Sequence, residues 1–221
     1  GCLGLEGVSW FRGDVRDAAA VTEACRDIVT VFHCASVPGI WGPWSLYESI
    51  NVQGTRNLIS SATNAGVTRF IYTSSPSVVF DGSDMIDADE STPLARSFLC
   101  HYPRSKSIAE TDVLAANGSH GLATVALRPH LIWGPRDNHL LPRLIERARQ
   151  GRLRQVGTGH NVISNIYVEN AAAAHVQAAD DLAVEQGPQY FVCRFRTGHD
   201  ELVEESPANG GCIARQLRDL R

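Results

Sequence analysis

The stretch TRFIYTSS, residues Thr68–Ser75, decides the fold class of this chain. Its apolar part is short and rich in β-branched and aromatic residues, and it stops where small polar residues begin. A short continuous apolar run of this kind is typical of a strand buried in a parallel sheet. We therefore predict a buried parallel strand over Thr68–Thr73, with Ser74 and Ser75 at its carboxyl end.

Similar strand patterns lie on either side of this stretch and alternate with helical patterns. VTVFH (Val29–His33) and TVAL (Thr124–Leu127) read as further buried strands, and WFRG ahead of Asp14 reads as a short one. Apolar residues at three- and four-residue spacing predict the helices Asp17–Arg26, Leu46–Ala65 and Ser105–Asn117. Because Pro103 suits a first helical turn, the last of these helices is expected to start near Tyr102. Strands and helices in this order predict an α/β fold with a Rossmann-type, doubly wound parallel sheet.

The character of the sequence changes after Gly134. An amphipathic helix is predicted over Leu140–Gln150, and Ile166–Ala179 reads as a short strand that runs into an alanine-rich helix. We interpret residues 1–134 as a partial dinucleotide-binding domain and residues 135–188 as a small substrate-binding lobe. Residues 189–221 have only a faint helical period and are expected to form a divergent, poorly ordered tail.

Composition excludes several classes of function. The 221 residues carry a formal net charge of −4, which argues against nucleic acid as a partner, and they contain no apolar run long enough for a membrane span. The six cysteines are spread out without a metal-type cluster. Reduced thiols, no metal site and a cytoplasmic location fit this usage best.

The segment HYPRSKSIAE (His101–Glu110) places Tyr102 four residues before Lys106. Two residues four apart on a helix share one face, so the ammonium can lie near the phenol. A nearby positive charge favours the phenolate, so we expect Lys106 to lower the pKa of Tyr102. The pattern alone is weak, because a half-buried tyrosine beside a solvated lysine would look the same.

Eight motifs in a fixed order carry a resemblance to a known family. The chain resembles an extended short-chain dehydrogenase/reductase and, within that superfamily, the 3β-hydroxysteroid dehydrogenase and sterol-4α-carboxylate 3-dehydrogenase group. The motifs are GDVRD (Gly13–Asp17), VFHCAS (Val31–Ser36), NVQGTRN (Asn51–Asn57), FIYTSSPSVVF (Phe70–Phe80), YPRSK (Tyr102–Lys106), VLAANG (Val113–Gly118), ALRPHLIWGPRD (Ala126–Asp137) and YVEN (Tyr167–Asn170).

This resemblance implies a catalytic set and a cofactor. Tyr102 would be the general acid/base on the substrate oxygen, Ser75 would hydrogen-bond the same oxygen, and Lys106 would hold the nicotinamide ribose of NAD or NADP. Asn51 resembles the asparagine that anchors this part of the site. The resemblance also places Tyr102 at the cofactor, and the other residues that it places there are Asp14, Val15, Cys34, Ala35, Ser36, Ser74, Pro129 and Leu131.

Simpler interpretations remain open for several of these residues. Ser74 and Ser75 can cap the next segment, Asn51 can be a helix N-cap, and Cys34 reads as a small core residue and not a nucleophile. His130 has either a substrate contact or a supporting role. Arg143 and Arg147 either belong to a solvated helix face or grip a substrate carboxylate.

The resemblance also implies an activity. It points to an oxidoreductase that interconverts a secondary alcohol and a ketone on an apolar, steroid-like or long-chain 3-hydroxy/3-oxo acid. The alternatives are a nucleotide-sugar epimerase or dehydratase of the same superfamily, and a catalytically silent fragment that acts as a binding module. A homodimer through a four-helix interface, formed by Leu46–Ala65 and Ser105–Asn117, is a further implication.

One expected part is not found in these residues. The strand and glycine-rich turn that the family uses for the pyrophosphate are absent, and the glycines of Gly1–Gly7 have no strand before them and no helix after them. The N-terminal βαβ unit is therefore expected upstream of Gly1.

Overall fold

The computed structural model describes residues 8–85, 88–137, 140–155, 157–160, 163–182 and 189–191. The elements, in chain order, are α1 (Ala18–Ala24), β1 (Thr30–His33), α2 (Trp44–Tyr47), a π-helical turn (Glu48–Gln53), α3 (Gly54–Asn64), β2 (Arg69–Thr73), a 3₁₀ turn (Pro76–Val78), α4 (His101–Ala115), a second 3₁₀ turn (Ser119–Gly121), β3 (Ala123–Leu127), β4 (Ile132–Trp133), α5 (Leu141–Arg149), β5 (Ile166–Tyr167), α6 (Val168–Asp181) and β6 (Gln189–Phe191).

The main sheet has four parallel strands in the order β1–β2–β3–β6. The three strands predicted from VTVFH, TRFIYT and TVAL are confirmed as β1, β2 and β3. In the central pairings, Phe32 lies opposite Ile71 and Tyr72 lies opposite Ala126. The predicted α/β parallel sheet is therefore present.

Helices cover both faces of this sheet because side chains alternate along each strand. Phe70 and Tyr72 of β2 belong to one hydrophobic cluster, with residues of α3 and α4. Ile71 between them belongs to a second cluster, with Ala174 and Ala178 of α6. The central strands β2 and β3 are therefore buried from both sides, as a doubly wound fold requires, whereas β1 leaves Phe32 45% exposed, so the prediction that β1 is buried holds only in part.

The helix ends differ from the predicted ones for local reasons. Asp17 is the N-cap of α1 and accepts hydrogen bonds from the backbone N–H groups of Ala19 and Ala20, so the helix begins one residue later than predicted. The predicted helix Leu46–Ala65 is interrupted by the π-helical turn. Helix α4 begins at His101, because Cys100 is extended and Pro103 lies in the first turn.

The predicted WFRG strand is wrong for the structure described here. Residues 8–13 form no strand, and Trp10 and Phe11 are 64% and 54% exposed. A strand is held by hydrogen bonds to a neighbour, and no described strand lies beside this segment. Its local composition is suited to a sheet, but the pairing is not present.

A second small sheet lies after the main fold. Strands β4 and β5 pair in parallel, and β5 leads directly into α6. The paired residues Ile132 and Trp133 precede the predicted boundary at 134, so the small sheet begins earlier than the predicted lobe.

The predicted tail begins too early. Its first three residues, Gln189–Phe191, form β6 and pair with β3, whereas residues 192–221 lie outside the described residues. Within the described residues, no helix is long and apolar enough to cross a membrane, and no cluster of side chains is suited to hold a metal ion.

Candidate active site

The carboxyl ends of the parallel strands carry the residues that the sequence singled out. Ser74 and Ser75 follow β2, Cys34 follows β1, and Pro129 comes two residues after β3. The backbone N–H of Ser74 donates to the Leu127 carbonyl at 2.6 Å, so the strand pairing continues to the edge of the site. These chain segments therefore meet at one edge of the sheet.

Tyr102 lies in the first turn of α4, with its phenol near enough to the Ser75 side chain for Ser75 to influence its pKa. Burial raises the pKa of the Tyr102 phenol, and the Ser75 side chain acts in the opposite direction. We predicted a pKa lowered by Lys106, so the net direction is a correction: loss of hydration, which disfavours the phenolate, outweighs the favourable contacts.

Ser75 also serves the local backbone. It is the N-cap of the 3₁₀ turn Pro76–Val78, and its Oγ accepts from the Ser77 backbone N–H at 3.3 Å. The capping interpretation and the contact with Tyr102 therefore both hold, and the cap keeps the Ser75 hydroxyl in place beside the phenol.

Lys106 lies on α4 one turn after Tyr102, and only 2% of the residue is exposed. Its Nζ donates to the Thr73 carbonyl at 2.6 Å and lies 4.1 Å from the ring centroid of Tyr72. Burial lowers the pKa of Lys106 to about 7, while the charge of Glu110 acts to raise it. The amine therefore loses its proton much nearer neutral pH than a free lysine does.

This lowered pKa predicts a pH-dependent stability. Between about 7 and the ordinary value of 10.5, the folded chain binds fewer protons at Lys106 than the unfolded chain does. Stability from this group therefore rises with pH through that window, by at most about 1.4 kcal/mol per pH unit, and is lost as pH falls towards 7. We expect Lys106→Met to be more stable than the wild type at pH 6, with an advantage that shrinks steadily towards pH 10 in urea unfolding.

The matched control is Arg104→Met, which removes an exposed cation two residues earlier on the same helix. Its free energy of unfolding should run parallel to that of the wild type across the same pH range. A Lys106→Met curve that also runs parallel would contradict a neutral buried amine.

Asn51 connects three segments of the site. Its Oδ1 accepts from the Val37 backbone N–H at 2.7 Å, and its Nδ2 donates to the Val37 carbonyl at 3.2 Å and to Ser105 Oγ at 2.9 Å. It lies inside the π-helical turn, so the N-cap interpretation is wrong. Ser105 in turn donates to the Tyr102 carbonyl, so Asn51 anchors both the loop after β1 and the first turn of α4.

We expect Asn51→Ala to lower the free energy of unfolding by about 2–3 kcal/mol in urea titrations, because it leaves the buried Ser105 hydroxyl and the half-buried backbone groups of Val37 without this partner. Asn57→Ala is the matched control. Asn57 is only half-buried and donates to the Val15 and Arg16 carbonyls, which water can reach. Equal losses in the two variants would contradict the anchoring role of Asn51.

His33 supports Asn51 from β1. The Thr55 hydroxyl donates to the Asn51 carbonyl at 2.6 Å, and His33 Nε2 lies 2.8 Å from the same oxygen of Thr55. Since the only hydroxyl proton of Thr55 is engaged, His33 must donate through Nε2. Burial, with a further effect from Lys106, lowers the pKa of His33 to about 3 and keeps the ring neutral.

The GDVRD segment packs on the start of α3. A Cβ at Gly54 would lie 2.5 Å from Val15 Cγ2, so only glycine allows this approach. Asp14 forms an exposed pair with Arg16 at 2.6 Å, and the hydrogen bonds from Arg16 lower its pKa to about 2. No role was predicted for Gly54 or Asn57, although both belong to the NVQGTRN motif, whose place in the site was predicted.

The Cys34–Ser36 segment is more open than predicted. Cys34 is exposed, so its interpretation as a core residue is wrong: it stands past the last residue of β1, where no described residue covers it. Its Sγ lies 3.1 Å from Thr73 Oγ1, which lies 2.7 Å from His175 Nε2. Ala35 is exposed and Ser36 is half-buried.

The remaining predicted residues lie at the start of the lobe. Pro129 is buried, whereas Leu131 is exposed and has a positive φ of 37°. The His130 side chain hydrogen-bonds the Ser164 carbonyl, which ties it to the lobe. Arg143 and Arg147 are both exposed on α5, and neither forms an ion pair within the described residues.

Two features of the site were not predicted from the sequence. Glu110 and Arg128 form a buried ion pair, through Nη2–Oε1 at 2.6 Å and Nε–Oε2 at 3.1 Å, that fastens α4 to the end of β3. Lys106 is also the only lysine among the 20 basic residues, since the other 19 are arginine. The single lysine was a usable signal in the sequence. Of the two basic residues, only lysine can lose its proton near neutral pH when it is buried, whereas arginine stays charged.

The fold and this residue set define the short-chain dehydrogenase/reductase class. A family model described as the 3-beta hydroxysteroid dehydrogenase/isomerase family matches residues 4–196, and the chain belongs to this family.

Two relatives illustrate the similarity. A 2-alkyl-3-oxoalkanoate reductase of Stenotrophomonas maltophilia is 45% identical over 196 residues, which are 86% of this chain and 59% of that protein. The decarboxylating sterol-4-alpha-carboxylate 3-dehydrogenase of Homo sapiens is 39% identical over 178 residues, which are 80% of this chain and 48% of that protein. The chain thus spans about half to three-fifths of the length of these relatives.

Solved structures with the same fold include nucleotide-sugar enzymes. MoeE5 in complex with UDP-glucose and NAD has a TM-score of 0.70 at 28% identity, over 83% of this chain and 62% of that one. The Thermus thermophilus UDP-glucose 4-epimerase complex with NAD has a TM-score of 0.73 at 25% identity, over 88% of this chain and 66% of that one. Both structures were determined with NAD bound.

Proposed function

We propose that this chain is the catalytic part of an NAD(P)-dependent oxidoreductase that interconverts a secondary alcohol and a ketone on a 3-hydroxy/3-oxo acid. The observation that carries the proposal is the placement of the Tyr102 phenol near the Ser75 side chain, with the buried Lys106 amine one helical turn further along α4. Family membership and the reductase and dehydrogenase relatives support it.

The proposed mechanism follows from where charge develops. In the reductive direction the substrate oxygen gains negative charge, so the Tyr102 hydroxyl donates its proton there and the Ser75 hydroxyl hydrogen-bonds the same oxygen. The raised pKa of Tyr102 keeps the phenol protonated, which is the form that reduction needs. Oxidation needs the opposite form, with the phenolate accepting the proton of the alcohol.

The residues present fit a nicotinamide cofactor, which would supply or accept the hydride. The Ser74 hydroxyl is buried and has no hydrogen-bond partner in the described part of the chain, and Lys106 donates only to the Thr73 carbonyl there. A ribose offers hydroxyl groups to both. Lys106 would hold the nicotinamide ribose, and Asp14, Val15 and the Cys34–Ser36 segment would lie along the rest of the cofactor.

The substrate class is drawn from the relatives and from chemistry. The names of the two relatives join a 3-oxo or 3-hydroxy carbon to a neighbouring carboxylate. Arg143 and Arg147, one turn apart and exposed on α5, are the proposed partners for that carboxylate, and His130 is a proposed contact at the base of the lobe. Oxidation of such a hydroxyl gives a β-keto acid, which loses carbon dioxide with little further help, so no additional decarboxylating residue is required. The same residues serve the reaction in the reductive direction.

Two alternatives have support of their own. The solved neighbours with UDP-sugars favour a nucleotide-sugar epimerase or dehydratase. Because the chain covers only part of its relatives, a catalytically silent binding module is the second alternative.

The test is a calorimetric titration of the chain with NAD and NADP. It is repeated after a glycine-rich βαβ unit has been joined ahead of Gly1, and turnover is then assayed on 2-alkyl-3-oxo acids, sterol carboxylates and UDP-sugars. We expect cofactor binding and turnover of the joined protein on 3-oxo or 3-hydroxy acids. Turnover on UDP-sugars alone would favour the epimerase, and neither binding nor turnover would favour the silent module.

We further propose a homodimer and a cytoplasmic location. Helices α3 and α4 lie side by side, joined by an Arg56–Asp112 pair at 2.7 Å. A surface groove of about 350 Å³ runs between them, lined by Arg56, Ile59, Ser60, Asp112, Ala115 and Ala116. A second copy in this groove would give a four-helix interface, which sedimentation of the wild type beside an Ala115→Arg variant would test.

The proposed cytoplasmic location has separate support. The free thiols Cys25, Cys34 and Cys100 support a reducing compartment.

A further inference from the structure

The Lys106 side chain is almost fully buried, with 2% of the residue exposed, so its ammonium loses most of its hydration. Moving a cation out of water is costly unless the protein supplies other favourable contacts. Two such contacts are present, and both come from adjacent residues of β2: the Thr73 carbonyl at 2.6 Å and the face of the Tyr72 ring, whose centroid is 4.1 Å from Nζ. An ammonium within about 6 Å of a ring centroid is attracted by the ring's negative face.

The Tyr72 ring is itself held in place. It is 1% exposed and lies opposite His33 in the sheet, with the two ring centroids 5.3 Å apart. The Tyr72 hydroxyl has no hydrogen-bond partner in the described part of the chain. The useful part of this side chain at the site is therefore its aromatic face and not its hydroxyl.

We infer that Tyr72 is a positioning residue, whose ring face holds the Lys106 ammonium over the end of β2 and keeps its remaining N–H groups available for a ligand hydroxyl. This inference rests on the proposed role of Lys106 at the cofactor. The negative face of the ring lowers the energy of the charged amine, and the rigid sheet behind the ring fixes where that charge lies.

Other groups also act on the charge of Lys106. Glu110, one turn further along α4, and Cys34, after β1, act to raise its pKa. The neutral His33 ring lies beside the Tyr72 ring, and the Tyr102 phenol lies close enough to raise the pKa of Tyr72. None of these four residues is changed in the variants below, so differences among the variants report on the ring.

Because the chain has a single lysine, the inference can be tested without any cofactor. Lysine labelled with ¹³C at Cε gives one side-chain resonance, whose shift is followed from pH 5 to pH 11 in the chain as it stands. We expect Tyr72→Phe to titrate as the wild type does. Tyr72→Leu should titrate about one pH unit lower, because the ring contact stabilises the ammonium by about 1 kcal/mol.

A second series guards against a Leu variant that fails to fold. Phenylalanine with one to five ring fluorines at position 72 keeps the shape and progressively weakens the negative face, so the midpoint should fall stepwise with each fluorine. A midpoint that is unchanged or raised across this series would overturn the inference, as would an equal fall in Tyr72→Phe. NAD and NADP are then titrated into the same variants, with and without the βαβ unit joined, which separates the role of Tyr72 from the proposed function. If the midpoint shifts as expected but no variant binds cofactor, the proposed function fails and the role of Tyr72 stands.

Discussion

Turnover is expected to fall by about 10²- to 10⁴-fold when Tyr102 is replaced with phenylalanine, because the variant keeps the ring but loses the group that donates the proton. The measurement is steady-state reduction of a 2-alkyl-3-oxo acid by the protein with a glycine-rich βαβ unit joined ahead of Gly1. Cofactor affinity should fall far less than turnover, since the main proposed ribose contact is made by Lys106. The loss should therefore appear mainly in kcat.

The control for this variant is Tyr47→Phe, which removes the same atom from another tyrosine. The Tyr47 hydroxyl lies 3.0 Å from both the Gly39 and the Trp41 carbonyl and shares its one proton between them, and no role in catalysis is proposed for it. This variant should melt at a lower temperature and keep its turnover when assayed well below that temperature. A Tyr102→Phe enzyme as active as the wild type would refute the acid/base role.

Arg128→Met is expected to lower the free energy of unfolding by about 3–5 kcal/mol, because it leaves the Glu110 carboxylate buried without its partner. Glu110 is 0% exposed and Arg128 is 2% exposed, so water cannot replace the lost guanidinium. Urea unfolding at pH 7, followed by circular dichroism, measures the effect.

The double variant Glu110→Leu, Arg128→Met separates a lost attraction from a stranded charge. Two apolar side chains of similar volume avoid the burial of any charge, so the double variant should recover most of the stability that the single variant loses. If its loss instead equals the sum of the two single losses, the pair acts as two independent residues and our account of it is wrong.

Local sequence was sufficient for the parallel sheet and for the ends of its strands. The buried runs around Val31, Ile71 and Val125 have few other folded states open to them, and the polar residues that follow them must then meet at one edge. The position of Pro103 was enough to place the start of α4 within one residue. The spacing of Tyr102 and Lys106 then put both side chains on one face of that helix.

Features that depend on residues far apart in the sequence could not be predicted from local patterns. The WFRG segment is suited to a strand, but pairing depends on a neighbour. The spacing of Glu110 and Arg128 does not predict an ion pair, because the two residues belong to different elements. The direction of the Tyr102 pKa shift depends on how far burial outweighs nearby favourable contacts, and the sequence gives no measure of burial.

The turn Glu48–Gln53 makes the length of this segment matter as much as its composition. A π-helical turn accommodates one residue more than an α-helical turn. Deletion of one residue would let the backbone close into a regular helix, and the helical residues on either side would keep nearly their present orientation, because the wider turn absorbs the extra residue. The side chains inside the turn would change direction, so Asn51 would lose its contacts with Val37 and Ser105. A one-residue deletion between Tyr47 and Gly54 would thus remove the anchor of the site and leave the rest of the fold in place.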